Sequence, residues 1–415
     1  MKIDQQWHGY RRGHQLLAAT IELDARDQDL IDKLSDASGA PRPGERFDPY
    51  LTLYPLPSGR YNVVARTWQD LEAPRSGTVF TRSLLVPAEI WRTLPSIRPL
   101  FSTLQIRDVT NEQATLTSQD TAWPAVDEPS LAPLVEAMFL ERAAVIAAFG
   151  FNDAETISGR LAESLWPQRR ATFAVCTHVM GPRSLPDRDF DLVFAPDVSR
   201  SRFAKWDGRK ISASQTSSLS RHDWTDQIRR CVFDDPHPSL RELDEIGALE
   251  ASARGDGSAL RLALRWSELR QKAADTPTSL LAMLDILSSL GRSPWSVPTL
   301  MTLMTASLDK ASGNASQETW QFLQLLVRKL GNEIPLAILR SIFAATRRVA
   351  RDAPAAVIDT ERTPPSTPMP HLLRPAVADG FAQLDGSSLA PVLDTLNPTL
   401  ALSLMGESPE FAEAV

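Results

Sequence analysis

The 415-residue chain is 43% hydrophobic and 23% charged, the balance of a folded globular protein, and it is long enough for two or three cores without help from disulfides or metals. A formal net charge of −7 argues against a surface dominated by attraction to nucleic acid or membrane, and so favours protein or small-molecule partners. Two cysteines, Cys176 and Cys231, cannot build a zinc cluster or a disulfide framework; both lie among apolar residues and read as reduced and buried.

The first residues, MKIDQQWHGYRR, lack an apolar signal core, and no later run approaches the roughly 18 apolar residues of a membrane span, so the expected compartment is the cytoplasm. Within WHGYRRGHQLLAAT (7–20), His8 and His14 flank a Tyr-Arg-Arg-Gly corner, and Gly9 with Gly13 disfavour a regular helix there. Leu30, Ile31 and Leu34 in RDQDLIDKLSDASG are spaced for a helix that ends on Gly39. YLTLYPL (50–56), RYNVVARTW (60–68) and GTVFTRSLLV (77–86) are rich in β-branched and aromatic residues, and Pro57-Ser58-Gly59 joins the first two as an antiparallel hairpin. Residues 131–149 read as one buried helix stopped at Gly150, and ETISGRLAESLW as a second stopped by Pro167. ATFAVCTHV (171–179) and FDLVFAP (190–196) read as a second hairpin returning to the same sheet.

Beyond residue 222 the pattern becomes helix upon helix, from HDWTDQIRRCVF to PLAILRSIFAATRRV, with short Gly/Pro connections and no fixed period. The expected fold is therefore an α+β N-terminal domain of antiparallel hairpins and helices, followed by an all-α C-terminal bundle or short irregular solenoid. Its expected divisions are 1–200 (one domain, or lobes 1–125 and 126–200), a linker at 201–221 and a helical domain at 222–352. A proline-rich linker or loop at 353–370 and C-terminal helices at 371–415 complete it.

No catalytic signature emerges. His8 and His14 could serve as acid and base, the basis of a nuclease or phosphoesterase alternative, but they lack helical i, i+4 spacing and no acidic partner lies beside them in sequence. Arg11, Arg12, Arg75, Arg169 and Arg170 sit at corners and loop-to-strand junctions, where guanidinium groups could meet an anion, or simply face solvent. Phosphate-loop and dinucleotide glycine motifs and the nucleophile elbow G-x-S-x-G are all absent, so no cofactor or metal is expected. Trp166, before Pro167, reads as a packed tryptophan more readily than as a binding one.

Five motifs occur in order: G-Y-x-x-G-H-x-L-L-A, L-S-D-x-S-G, Y-P-L, A-R-T-W and R-x-G-x-V-x-T-x-x-L-L. Together they resemble the N-terminal domain, first type, of the bacterial GTPase-associated protein family. LWPQRRATFAVCTHVMGPRSLPDRDFDLVFAP resembles that family's second conserved block, which extends the resemblance to roughly residues 3–200. The resemblance implies a non-enzymatic adaptor or scaffold of a bacterial conflict system, presumed antiphage defence, linking a GTPase or other NTPase encoded nearby to an effector. It further implies that Trp7, Gly9, Gly13, Trp68, Trp166 and Pro167 shape the fold, with Leu16 and Leu17 starting a buried strand. His8, Tyr10, Arg11, Arg12, His14, Arg75, Arg169 and Arg170 are then candidates for partner or ligand contact; the alternative for the opening motif is purely structural, with His14 hydrogen-bonded inside the domain and the motif serving to fold it. Supply of an arginine in trans to a partner GTPase is a further alternative.

Overall fold

The computed structural model describes residues 1–39, 46–73, 77–106, 108–116, 121–126, 128, 130–141, 145–214, 222–251, 257–273, 275–331, 333–362 and 368–415. The chain divides into two compact units, Met1–Leu264 and Arg265–Val415. The division falls well beyond the expected 200–222, because Ile228, Val232, Phe233, Leu240, Leu249, Leu260 and Leu264 are buried in the core of the first unit.

In the first unit, β1 (Lys2–Tyr10), β2 (His14–Ala19), α1 (Ala25–Ser35), β3 (Tyr50–Pro55), β4 (Tyr61–Gln69) and β5 (Val79–Pro87) come first. They are followed by α2 (Ala88–Thr93), α3 (Arg98–Thr103), β6 (Ala114–Thr115) and α4 (Leu131–Val135), which continues as a π turn to Leu140. Then come β7 (Ile146–Phe149), α5 (Ala154–Ser164), α6 (Pro167–Thr172), β8 (Val175–Cys176), β9 (Leu192–Ala195) and β10 (Arg209–Ser212). All ten strands share one sheet, ordered β10-β7-β9-β8-β3-β4-β5-β1-β2, with β6 paired to the start of β1.

The β3–β4 hairpin forms as expected, with Tyr54 opposite Val63 and Gly59 at φ +69° in the turn. Side chains alternate between two cores with the two-residue period of strands. Leu53, Val64, Leu84, Ala148 and Phe194 face one side, covered by α2 to α5; Tyr54, Val63, Leu85, Phe149 and Val193 face the other, with Leu30, Ile31 and Leu34 of α1.

Three expectations fail in the second half of this sheet. The buried run 131–149 is not one helix: it is helical only to Leu140, and Ile146–Phe149 is a strand. Short apolar runs buried on both faces carry no periodicity that separates strand from helix. β8 and β9 run parallel rather than as a hairpin, since the connection of 15 residues between Cys176 and Leu192 is long enough to carry the chain back. Finally, part of the expected linker, Arg209–Ser212, is strand β10, parallel to β7.

The first unit ends with α7 (Thr225–Arg229), α8 (Ala248–Ala251) and α9 (Gly257–Ala273), which runs across the division. The second unit contains α10 (Pro277–Ser289), α11 (Pro298–Gly313), α12 (Gln317–Leu330), α13 (Leu336–Asp352), α14 (Pro354–Arg362), α15 (Arg374–Phe381), α16 (Gly386–Thr395), α17 (Pro398–Glu407) and α18 (Pro409–Ala414). Alternate helices pack together: α10 on α12, α12 on α14 and α14 on α16 in one row, α11 on α13, α13 on α15 and α15 on α17 in the other. That is the arrangement of a short solenoid rather than of a closed bundle. Within the expected proline-rich linker, residues 354–362 are α14, started by Pro354 in the first turn where a proline costs no hydrogen bond; 363–367 lie outside the described residues. Cys176 is buried as expected, but Cys231 is only half-buried. Among the described residues no helix is long and apolar enough to cross a membrane.

Candidate functional site

The opening motif is a β-hairpin. β1 lies between β5 and β2, and β2 closes the sheet, pairing Tyr10 with His14 across a three-residue tip. Gly9 is required by close approach, because a Cβ there would stand 2.9 Å from Leu17 and 3.0 Å from Phe80. At the tip the Arg11 N–H donates to the Gly13 carbonyl at 3.0 Å, and Arg12 adopts φ +79°, a left-handed conformation that costs a residue with a Cβ roughly 1–2 kcal/mol.

The base of the hairpin is clamped by polar groups. His8 is fully enclosed, and its Nε2 donates to Asp32 of α1 at 2.9 Å, the tautomer being assigned from this acceptor. His14 Nε2 and Ser35 Oγ, one turn further along α1, share a hydrogen bond of 2.8 Å. The two imidazoles lie nearly parallel, 6.0 Å apart. Gln28 donates to Asp32 at 2.7 Å and exchanges hydrogen bonds with Gln6 of β1. Burial holds both histidines below the usual imidazole pKa, against the opposing pull of Asp32 on each and of Asp36 on His14. His8 Nδ1 is buried with no partner among the described residues. Trp7, also enclosed, packs under the Arg82 guanidinium, 4.7 Å from its ring, and Arg82 in turn donates to Gln5 and to the Thr103 carbonyl.

The structure therefore brings His8 and His14 together with a carboxylate, which sequence spacing had not suggested; Asp32 lies 24 residues away in the chain. Asp32 and Ser35 carry a signal in retrospect, since their three-residue separation puts both on one face of α1. The His8 ring is enclosed, and through Asp32 and Ser35 the two histidines tie the hairpin to α1.

Tyr10 is half-buried, while Arg11 and Arg12 project from the tip, exposed, with neither guanidinium bonded among the described residues. The other candidate arginines behave differently. Arg170 is buried and donates to the carbonyls of Leu94, Ala162 and Glu163, and burial lowers its pKa to about 10. Arg169 pairs with Asp191 at 3.0 Å and lies over the Phe173 ring. Both are structural fasteners rather than displayed contacts, and Arg75 lies outside the described residues. Trp68 and Trp166 are core residues, at 8% and 1% exposure, and Pro167 opens α6. Leu16, expected to begin a buried strand, is 38% exposed because β2 is the edge of the sheet. Among the described residues no group of three or more histidine, cysteine or acidic side chains is arranged to hold a metal ion.

These features define an α+β domain that displays a hairpin tipped by two exposed arginines, followed in the chain by a helical solenoid. Residues 2–104 match the family described as GTPase-associated protein 1, N-terminal domain type 1, so the chain carries that domain at its N-terminus. The match spans β1 to β5 and α1 to α3, and stops short of the Leu165–Pro196 block that resembles the family's second block. No curated protein and no solved structure matches the chain.

Proposed function

We propose that this protein is a non-enzymatic adaptor that binds a GTPase through its N-terminal domain and links it, through the helical unit, to an effector of a bacterial conflict system in the cytoplasm. The observation that carries this reading is the pair of exposed arginines, Arg11 and Arg12, whose guanidinium groups have no partner among the described residues, on a hairpin whose base is tied to α1 by the two histidines. Preorganised cations of this kind suit an acidic partner surface, because little side-chain and backbone freedom is lost on contact. The two-row helical unit supplies the extended surface that solenoids use to hold a second protein.

Affinity capture of the tagged full chain from its host, with identification by mass spectrometry, tests this. The expected result is recovery of a GTPase encoded nearby by the wild type and its loss from the folded Arg11→Ala/Arg12→Ala variant. Recovery of no NTPase by the wild type, with or without added nucleotide, contradicts it. The left-handed backbone at Arg12 favours one refinement, an arginine supplied in trans to the GTPase nucleotide. Under that refinement Arg12→Ala abolishes stimulation of GTP hydrolysis while binding persists.

A further inference from the structure

Strands β7 and β9 are parallel neighbours whose continuations leave on opposite faces of the sheet. β7 leads to α5, which buries Ile157 and Leu161 in one core, and β9 leads to the 3₁₀ helix Asp197–Phe203, which buries Phe203 in the other. In open sheets such a switch point opens a crevice beyond the carboxyl ends of the strands, the usual place for a ligand. A crevice of 730 Å³ lies there, within the range of roughly 300–1,000 Å³ typical of small-molecule sites. Phe151 and Asp153, just after β7, line it with His178 after β8 and Pro196 after β9.

Its chemistry is aromatic and acidic. Phe47, Tyr50 and His178 form a ring cluster with centroids 5.5, 5.6 and 5.7 Å apart. Among the described residues, the charged lining comprises three carboxylates, Asp48, Asp153 and Glu155, against one guanidinium, Arg46. Glu155 is taken up by Arg66 at 2.5 Å. Asp153 stands at the N-cap position of α5 yet makes no cap bond, and its carboxylate has no partner among the described residues. An aspartate at that position ordinarily caps the helix.

We propose that this crevice binds a guanidinium group, either of a free arginine-like metabolite or of an arginine side chain in a peptide. A planar cation stacks on a ring face while its N–H fork meets a carboxylate, and guanidinium sheds its hydration more readily than an ammonium does. Phosphate-bearing ligands meet repulsion from the same carboxylates. This site is separate from the hairpin tip and does not depend on the adaptor reading.

Calorimetric titration of the full chain with L-arginine and with N-acetyl-arginine amide tests the proposal, with citrulline, the neutral isostere, and GMP as controls. The expected result is binding of at least one guanidinium probe, weakened about tenfold or more in citrulline and in Asp153→Asn. Should Asp153→Asn unfold, Asp48→Asn replaces it. Binding of free arginine identifies a small molecule as the source; binding of the blocked amide alone identifies a peptide side chain. Failure of both probes at millimolar concentration, equal binding of citrulline, or preference for GMP overturns the proposal.

Discussion

The base and the tip of the first hairpin are a few residues apart and are built in opposite ways. At the base, His8 Nε2 is bonded to Asp32 and His14 Nε2 to Ser35, and burial lowers the pKa of both rings. At the tip, Arg11 and Arg12 are exposed, their guanidinium groups have no partner among the described residues, and Arg12 is held at φ +79°. Histidines usually raise a suspicion of catalysis and loop arginines usually do not. Here the histidines are bonded within the fold, whereas the arginine guanidinium groups have no partner among the described residues.

Several substitutions can break or sharpen that contrast. His8→Ala removes an enclosed ring and leaves Asp32 without it, and should destabilise the first unit by about 2–4 kcal/mol in a denaturant titration. A loss below roughly 1 kcal/mol, the scale of a surface change, would refute that tie between hairpin and helix. Acid should act in the same direction. Because both imidazole pKa values are lowered by folding, the unfolded chain takes up protons first. Stability is then complete above the ordinary imidazole value of about 6.5 and falls as pH drops below it. His14→Gln should flatten part of that slope in thermal unfolding followed across pH.

Effects at the tip should be smaller and of the other kind. Arg12→Gly relieves the left-handed conformation and should leave the fold unchanged or raise its stability by up to about 1 kcal/mol, while weakening partner binding. Arg11→Ala should stay within about 0.5 kcal/mol of wild type by unfolding, as exposed substitutions do.

Legibility in the sequence followed the same physical divide. The β3–β4 hairpin was readable because alternation and a Pro-Ser-Gly turn are local signals. β1 was not, since its inward positions include Gln5, Gln6 and His8, polar groups satisfied only by partners on α1, β5 and beyond. The parallel half of the sheet hid for another reason. Ile146–Phe149 and Leu192–Ala195 are buried on both faces, and apolar runs so short do not announce their direction or even their type. The crevice at their ends was invisible because Phe47, Asp153 and His178 meet only through that topology. Of the candidate contacts, Arg11 and Arg12 were legible as a corner, but the burial of Arg170 depended on carbonyls contributed by Leu94, Ala162 and Glu163.

The most direct test of the account is the affinity of the captured GTPase for wild type and for Arg11→Ala/Arg12→Ala, measured beside the unfolding of each. The expected result is a loss of affinity of about tenfold or more, some 1.4 kcal/mol, with stability essentially unchanged. Equal affinity in a folded variant would contradict it, and would move the contact away from the hairpin tip.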